Sequence, residues 1–338
     1  MNEIGIASYG IYIPKRVITA KELSKEFNIP EEVIIKKQGL KEKHISAEGE
    51  MPSDMAFEAA KIAIENATNS GITKNDIGAI LYIGSQWKDY NVWLISAYLQ
   101  EKLGLYKAYS IDLSAMCAGM VTGLYIAKSI LNSDKNLKSI LLVGASKESY
   151  IVNPMNPKTT WMDDFADAGV AAVVSKNFKK NLILNSDFLT DGSFWAATLL
   201  LTGGAKVLYD EKYCYYKRPF LESLVSKEEF KQKMEAVSLI NFKNVILNAI
   251  EKSGLKKEDI SMVFLNHMKP SFHLKLLKSI GLTNENSIYL DKYGHSQSAD
   301  QFIALDLALK EGIFKTGNIV FAAAGTGYVW SATVIRWG

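Results

Sequence analysis

Three side chains in this 338-residue chain have the chemistry of a nucleophile and its proton handlers: Cys117 in SIDLSAMCAGMVTGLYIAKSIL, His267 in FLNHMKPSF and His295 in DKYGHSQSADQ. Cys117 stands where an apolar, strand-like run gives way to a helical one, between Met116 and the small pair Ala118-Gly119. A thiol at a helix start meets the positive end of the helix dipole and unpaired backbone N–H groups. Both favour thiolate, the attacking species in acyl transfer. The competing reading is a core-filling cysteine. His267 follows an apolar strand and precedes a Pro-containing turn, a usual address for a functional side chain in an α/β sheet; a hydrogen-bonded structural histidine is the alternative. His295 follows a glycine and opens a helix with the apolar face FIALDLAL, where a polar loop residue would also fit. His44, in the charged run KEKHISAEGE, and His273, on a helix flank, are weaker candidates. No GxSxG elbow and no GxxxxGKS/T loop occurs, so hydrolase and P-loop readings lack support.

The elements that must bring these residues together alternate short β-rich runs with helical ones, an α/β pattern. Their order recurs. NSGITKNDIGAILYIGSQ, from Asn69, lines up with KSGLKKEDISMVFLNHMK, from Lys252, 183 residues later. SIDLSAMCAG is echoed by SIYLDKYGHS and KSILLVGAS by GNIVFAAAG at nearly the same spacing, which marks an internal duplication. Two halves of like fold are expected, residues 1–177 carrying the nucleophile and residues 178–338 carrying His267 and His295. Packed about a pseudo-two-fold axis, such halves place all three side chains on one cleft.

Composition narrows the rest. A hydrophobic content of 48% with 22% charged residues is ordinary for a globular chain. A net charge of +3 is too small to argue for nucleic acid. Cys117 and Cys214 lie far apart without CxxC spacing or neighbouring histidines, so no metal site and no disulfide framework is expected, and a reducing cytoplasm fits best. The N-terminal MNEIGIASYGIYIP lacks a basic segment before its apolar residues, and no window has the roughly 18 apolar residues of a membrane span. A soluble, cytoplasmic protein with no membrane partner is expected.

Taken together, the Cys-Ala-Gly around Cys117, a histidine after the second-half strand and the glycine-rich GTGYVWSA from Gly325 resemble the thiolase superfamily, and within it the β-ketoacyl-acyl-carrier-protein synthase III family, over nearly the whole chain. The resemblance implies a thiolase-like fold of two duplicated βαβ halves in α-β-α-β-α layers. It also implies a condensing acyltransferase that loads an acyl thioester on Cys117 and joins it to a malonyl-type thioester by Claisen condensation. Residue by residue, Cys117 matches the acylated nucleophile, and His267 the catalytic histidine of an H-Q-A-N sequence that here reads His-Met-Lys-Pro. Thr326, after Gly325, takes the place of the glycine whose backbone N–H shares the oxyanion hole with that of Cys117; a backbone donor survives any side chain. In the pantetheine-binding loop the family's aromatic residue and arginine fall on Val33 and Lys37, and Lys37 meets a phosphate only as a point charge.

The sharpest departure is His295, which stands where the family has the asparagine of G-N-S/T. A protonated imidazole can donate to a thioester oxygen as an amide does, which makes donation depend on pH. Hydroxymethylglutaryl-CoA synthases use a first-half Glu where this chain has Gln86, which cannot exchange a proton, so that reaction ranks lower. The remaining alternatives are acyl transfer to an alcohol or amine and, without catalysis, a structural subunit of a heteromeric ketosynthase. The resemblance implies no bound cofactor: acyl-CoA and acyl carrier protein thioesters are the expected substrates. It also implies a homodimer paired along the strand before the nucleophile helix, with ILYIGSQWKDYNVWLISAYL and its two tryptophans buried there. The insert LYDEKYCYYKRPFLESL, from Leu208, is expected along the acyl channel or the dimer contact, with Cys214 structural.

Overall fold

A strand that is apolar at every position must be covered on both faces, and several runs in this chain have that character; all eight residues of Ser139–Ser146 are buried. The computed structural model, which describes residues 3–215 and 218–338, meets the demand with one large sheet and helices on three levels. Its strands are β1 (Ile4–Tyr12), β2 (Ile77–Tyr82), β3 (Tyr109–Asp112), β4 (Ser139–Ser146), β5 (Ala168–Lys176), β6 (Leu182–Thr190), β7 (Ile260–Leu265), β8 (Gly317–Gly325) and β9 (Val329–Trp337). They are hydrogen-bonded in the order β7-β8-β9-β6-β1-β5-β4-β2-β3. The order is a palindrome of types. From the centre outward each half runs through antiparallel pairs, β1-β5-β4 in one and β6-β9-β8 in the other, and then a parallel pair, β4-β2 or β8-β7. At the seam β1 and β6 share a single residue pair, Gly5 with Leu182.

Six helices fill the layers: α1 (Pro52–Thr68), α2 (Ile95–Leu103), α3 (Gly119–Ser133), α4 (Lys227–Lys252), α5 (Pro270–Ser279) and α6 (Asp300–Lys310). Strand alternation divides their cores. Ile140 and Leu142 of β4 face a central layer with Val121 and Leu124 of α3 and Phe302 and Leu305 of α6. Leu141 and Val143 point the other way, onto Ala59, Ala60 and Ala63 of α1 and Leu99 of α2. In the second half Val320 and Ala322 of β8 meet Phe242 and Ile246 of α4 and Leu276 of α5. The result is the α-β-α-β-α layering expected of a thiolase-like fold.

Two details differ from the sequence reading. SIYLDKYGHS contains no strand, so the second half has no counterpart of β3. In the insert, Tyr216 and Lys217 lie outside the described residues; the flanking Cys214–Tyr215 and Arg218–Pro219 pair as a short hairpin. Among the described residues no helix is long and apolar enough to cross a membrane.

Candidate active site

The nucleophile turn is built by steric necessity. β3 ends at Asp112, and the chain reaches α3 through Met116, at φ 48°, and a single 3-10 turn, Met116–Ala118. A left-handed non-glycine residue costs on the order of 1–3 kcal/mol and persists only where surroundings enforce it. Enforcement comes from two glycines. A Cβ at Gly119 would collide with the carbonyl oxygen of Ile83, and one at Gly325 with that of Ala115, so the end of β8 lies directly against the turn. Cys117 is 4% exposed. The N–H groups of Cys117 and of Thr326, which follows β8, meet no acceptor among the described residues.

Both predicted histidines reach this point from the second half. His267 leaves the end of β7, its N–H donating to Asp300 Oδ2 at 2.8 Å. Its ring is held on both sides, Nδ1 on Asp164 Oδ2 at 2.6 Å and Nε2 facing the Gly39 carbonyl at 3.3 Å. His295 is fixed by its backbone, the N–H donating to the Asp164 carbonyl and the carbonyl accepting from Ala166, each at 2.8 Å. Its Nδ1 donates to Asp300 Oδ2 at 2.6 Å, and the ring lines the same cavity as the Cys117 thiol. Asp300, fully buried at the start of α6, therefore orients both imidazoles while its Oδ1 takes the Ser296 N–H.

Electrostatics refine the reading of Cys117. Burial pushes its thiol up, against the pull of His295. The helix start alone does not hold the thiolate, so the charged form needs a partner that keeps the proton. His295 is placed to take it. Burial draws the pKa of its ring down, but the Cys117 thiolate and the Asp300 carboxylate outweigh this and hold the imidazole well above its ordinary value. Burial likewise works against the Asp164 carboxylate, and the hydrogen bond and charge of His267 overcome it, leaving Asp164 below the usual range.

Cys117, His267, His295 and Thr326 line one cavity of about 450 Å³, walled by Trp161, Phe165, Phe230, Phe272 and Tyr328. A larger cavity of about 700 Å³, between Arg16, Tyr150 and Arg218, does not reach Cys117. Gln86, which the resemblance placed among the substrate-binding residues, is exposed and lines neither cavity, while Ser85 beside it is buried. Lys37, in the π-helical turn Ile34–Gln38, is exposed and also outside the lining. The lysines that do line the Cys117 cavity are Lys227, Lys231 and Lys269. No described residue of the insert lines it; Cys214 Sγ contacts the Asp210 carbonyl at 3.7 Å. His44 hydrogen-bonds Pro14 O, and His273, on α5, is buried with its pKa pushed down to about 4 by desolvation, so both are structural.

Sequence reasoning missed Asp164 and Asp300. The available signal was weak: an acid five residues after His295 at the mouth of an apolar helix reads as an ordinary N-terminal carboxylate.

Comparison with known proteins agrees with this geometry. Residues 111–192 match the family model "3-Oxoacyl-[acyl-carrier-protein (ACP)] synthase III", and residues 250–337 match the model of that enzyme's C-terminal part. The chain is 30% identical over 342 residues to a Beta-ketoacyl-[acyl-carrier-protein] synthase III of Campylobacter fetus, covering 100% of this chain and 99% of that one. It is 31% identical over 339 residues to the enzyme of the same name from Fusobacterium nucleatum, again covering 100% and 99%. The crystal structure of the 3-oxoacyl-acyl-carrier-protein synthase III of Aquifex aeolicus superposes with a TM-score of 0.83 at 25% identity, over 100% of both chains. The chain belongs to the 3-oxoacyl-acyl-carrier-protein synthase III family and is an acyl-transferring condensing enzyme.

Proposed function

We propose that an acyl-CoA or acyl carrier protein thioester acylates Cys117, and that the acyl group is then joined to a malonyl-type thioester. The observation that carries this reading is that Cys117 and His295, the latter held by Asp300, line one aromatic-walled cavity together. His295 Nε2 takes the thiol proton as sulfur attacks the donor carbonyl. The oxyanion sits on the N–H groups of Cys117 and Thr326, and collapse expels the donor thiolate, which receives the proton from His295. In the second half-reaction the malonyl-type thioester loses its carboxylate as CO2 while His295 and His267 donate to its thioester oxygen, His267 exchanging the Gly39 carbonyl for it. The carbanion so formed attacks the acyl carbonyl, the C–S bond breaks and Cys117 leaves as thiolate, taking its proton back from His295. Intact-mass analysis after incubation with short acyl-CoAs should show one added acyl group, mapped by peptide digestion to Cys117 and not Cys214; acyl mass on Cys214 alone would refute the assignment.

A second reading has its own support in the His295–Asp300 pair, which has the arrangement of a general base and would equally activate an alcohol or amine acceptor. Release of the acyl group to hydroxyl or amine acceptors, without need of a malonyl thioester, would favour it.

The pantetheine end is assigned to the three exposed lysines at the cavity rather than to Lys37. Exchanging Lys227, Lys231 and Lys269 for Glu together should raise KM for acyl-CoA roughly tenfold at low salt. It should leave the KM of an acyl-pantetheine lacking the nucleotide phosphates nearly unchanged. Equal effects on both donors would remove the phosphate role.

Assembly is proposed to be a homodimer. β3 is an edge strand with Tyr109 and Ile111 exposed, and the loop after β2 presents Tyr90, Val92 and Leu94 to solvent. The tryptophans of that segment are committed internally, Trp93 packing on Tyr90 and Tyr98. A bare apolar edge is a template for pairing. Light scattering should give twice the chain mass of 37.5 kDa at micromolar concentration, and a single-chain mass would count against the dimer.

A further inference from the structure

One acid beside the catalytic pair takes no part in the steps above. Glu148 lies in the turn after β4, its Oε1 accepting from Ser85 Oγ at 2.8 Å and from Gln297 Nε2 at 3.0 Å. Gln297 is two residues past His295, 1% exposed and held at φ 57°, and its Oε1 meets no donor among the described residues. Ser85 in turn accepts the Trp87 N–H at 2.9 Å. The carboxylate thus spans from the loop after β2 to the left-handed turn that carries His295, and it lies outside the lining of the Cys117 cavity.

We propose that Glu148 is a positioning residue for His295: its carboxylate fixes the Gln297 turn that aims the imidazole at Cys117 and supplies the negative charge that keeps the ring protonated once Cys117 is acylated. The role rests on the condensing mechanism proposed above. Before acylation four acidic groups surround the ring: the Cys117 thiol from the nucleophile turn, Asp300 from α6, Asp164 from the segment before β5, and Glu148. Acylation converts Cys117 to a neutral thioester and removes its charge. Asp164 is paired with His267, so Asp300 and Glu148 are left to hold the proton on His295. Burial pushes Glu148 itself up, and the Ser85 hydrogen bond and His295 oppose this, so the two groups support each other's charged forms.

The test measures the half-reactions separately as a function of pH, in Glu148→Gln, Glu148→Asp and Gln297→Met, with circular dichroism and melting to verify folding. Glu148→Gln retains an acceptor for Gln297 but loses the charge. Its condensation rate should fall off at lower pH than wild type and be roughly tenfold slower on the falling limb. Glu148→Asp should restore the limb, and Gln297→Met, which keeps the charge, should lower the rate at every pH without moving it. A Glu148→Gln limb coincident with wild type overturns the proposal, as does an equal shift in Gln297→Met. Should Glu148→Gln fail to fold, wild-type acidic behaviour in Gln297→Met together with a displaced limb in Glu148→Asp would overturn it, and an undisplaced one would support it. A wild-type protein that gains no acyl mass on Cys117 refutes the underlying mechanism instead, so the two failures are distinguishable.

Discussion

Cys117→Ala should fold, take up no acyl group and condense more slowly than wild type by a factor on the order of 10⁴ or more. The size follows from what is removed. Backbone donors and the cavity remain, but no atom is left to carry the acyl chain, and a covalent route cannot be partly retained. Folding should be little disturbed, since a side chain one sulfur shorter beside Ala118 leaves a small void in a turn pinned by Gly119 and Gly325. Intact mass and a condensation assay on the same preparation check both halves of this statement. Acyl label retained at the wild-type level in Cys117→Ala would sink the assignment of the nucleophile.

The second large effect belongs to His295. Read from sequence alone, His295→Ala would acylate normally and condense poorly. Because His295 is the partner of the thiol, both half-reactions should now slow, each on the order of 10²-fold or more. Their pH profiles should run in opposite directions. The thiol is pushed up by burial, so acylation gains as pH rises. In the acyl-enzyme the Cys117 charge is gone and Asp300 still favours the protonated, donating imidazole, so condensation falls as pH rises through the pKa of His295 in that state. His295→Asn should flatten the condensation profile while slowing acylation as His295→Ala does, because an amide donates at any pH but cannot take the thiol proton. Asp300→Asn should move the falling limb toward acid and slow both steps, since the same carboxylate orients the ring and holds the backbone of His267. Single-turnover measurements of acylation and condensation decide the matter; parallel profiles, or wild-type condensation in His295→Ala, would reduce His295 to a loop residue.

The repeat that sequence displayed most clearly was the one with the strongest local physics. β2 and β7 are both buried hydrophobic runs preceded by a 3-10 turn, at Lys74–Asp76 and Lys257–Asp259. His267 was legible because it stands two residues past a strand end, and Cys117 because it stands in the turn that opens a helix. Gln86, which sequence placed among the substrate-binding residues, lies beyond the end of β2, where no strand periodicity says which side chains turn inward. Lys37 was located through its similarity to an arginine, whereas the cavity lysines sit on α4 and before α5, on surfaces that only the packed second half brings near Cys117. Asp164, Glu148 and Asp300 could not be picked from 36 acidic residues, because what distinguishes them is burial. Each owes that burial to chain segments far away in sequence.

The seam between β1 and β6 gives catalysis an unusual mechanical basis. Within the large sheet a single residue pair joins the half that carries Cys117 to the half that carries His267 and His295, and at the site itself a short backbone bridge ties His295 to Asp164 and Ala166. Registry across the seam is set by the central layer, where α3 and α6 share one apolar cluster. Side chains of that layer act as spacers in an alignment jig. Enlarging Ala304, fully buried on α6, would leave every catalytic side chain in place on its own half yet offset the halves by a fraction of an ångström. Misplacements near 1 Å can slow a reaction about 10²-fold, so wear in this layer would register as lost turnover well before it registered as lost fold.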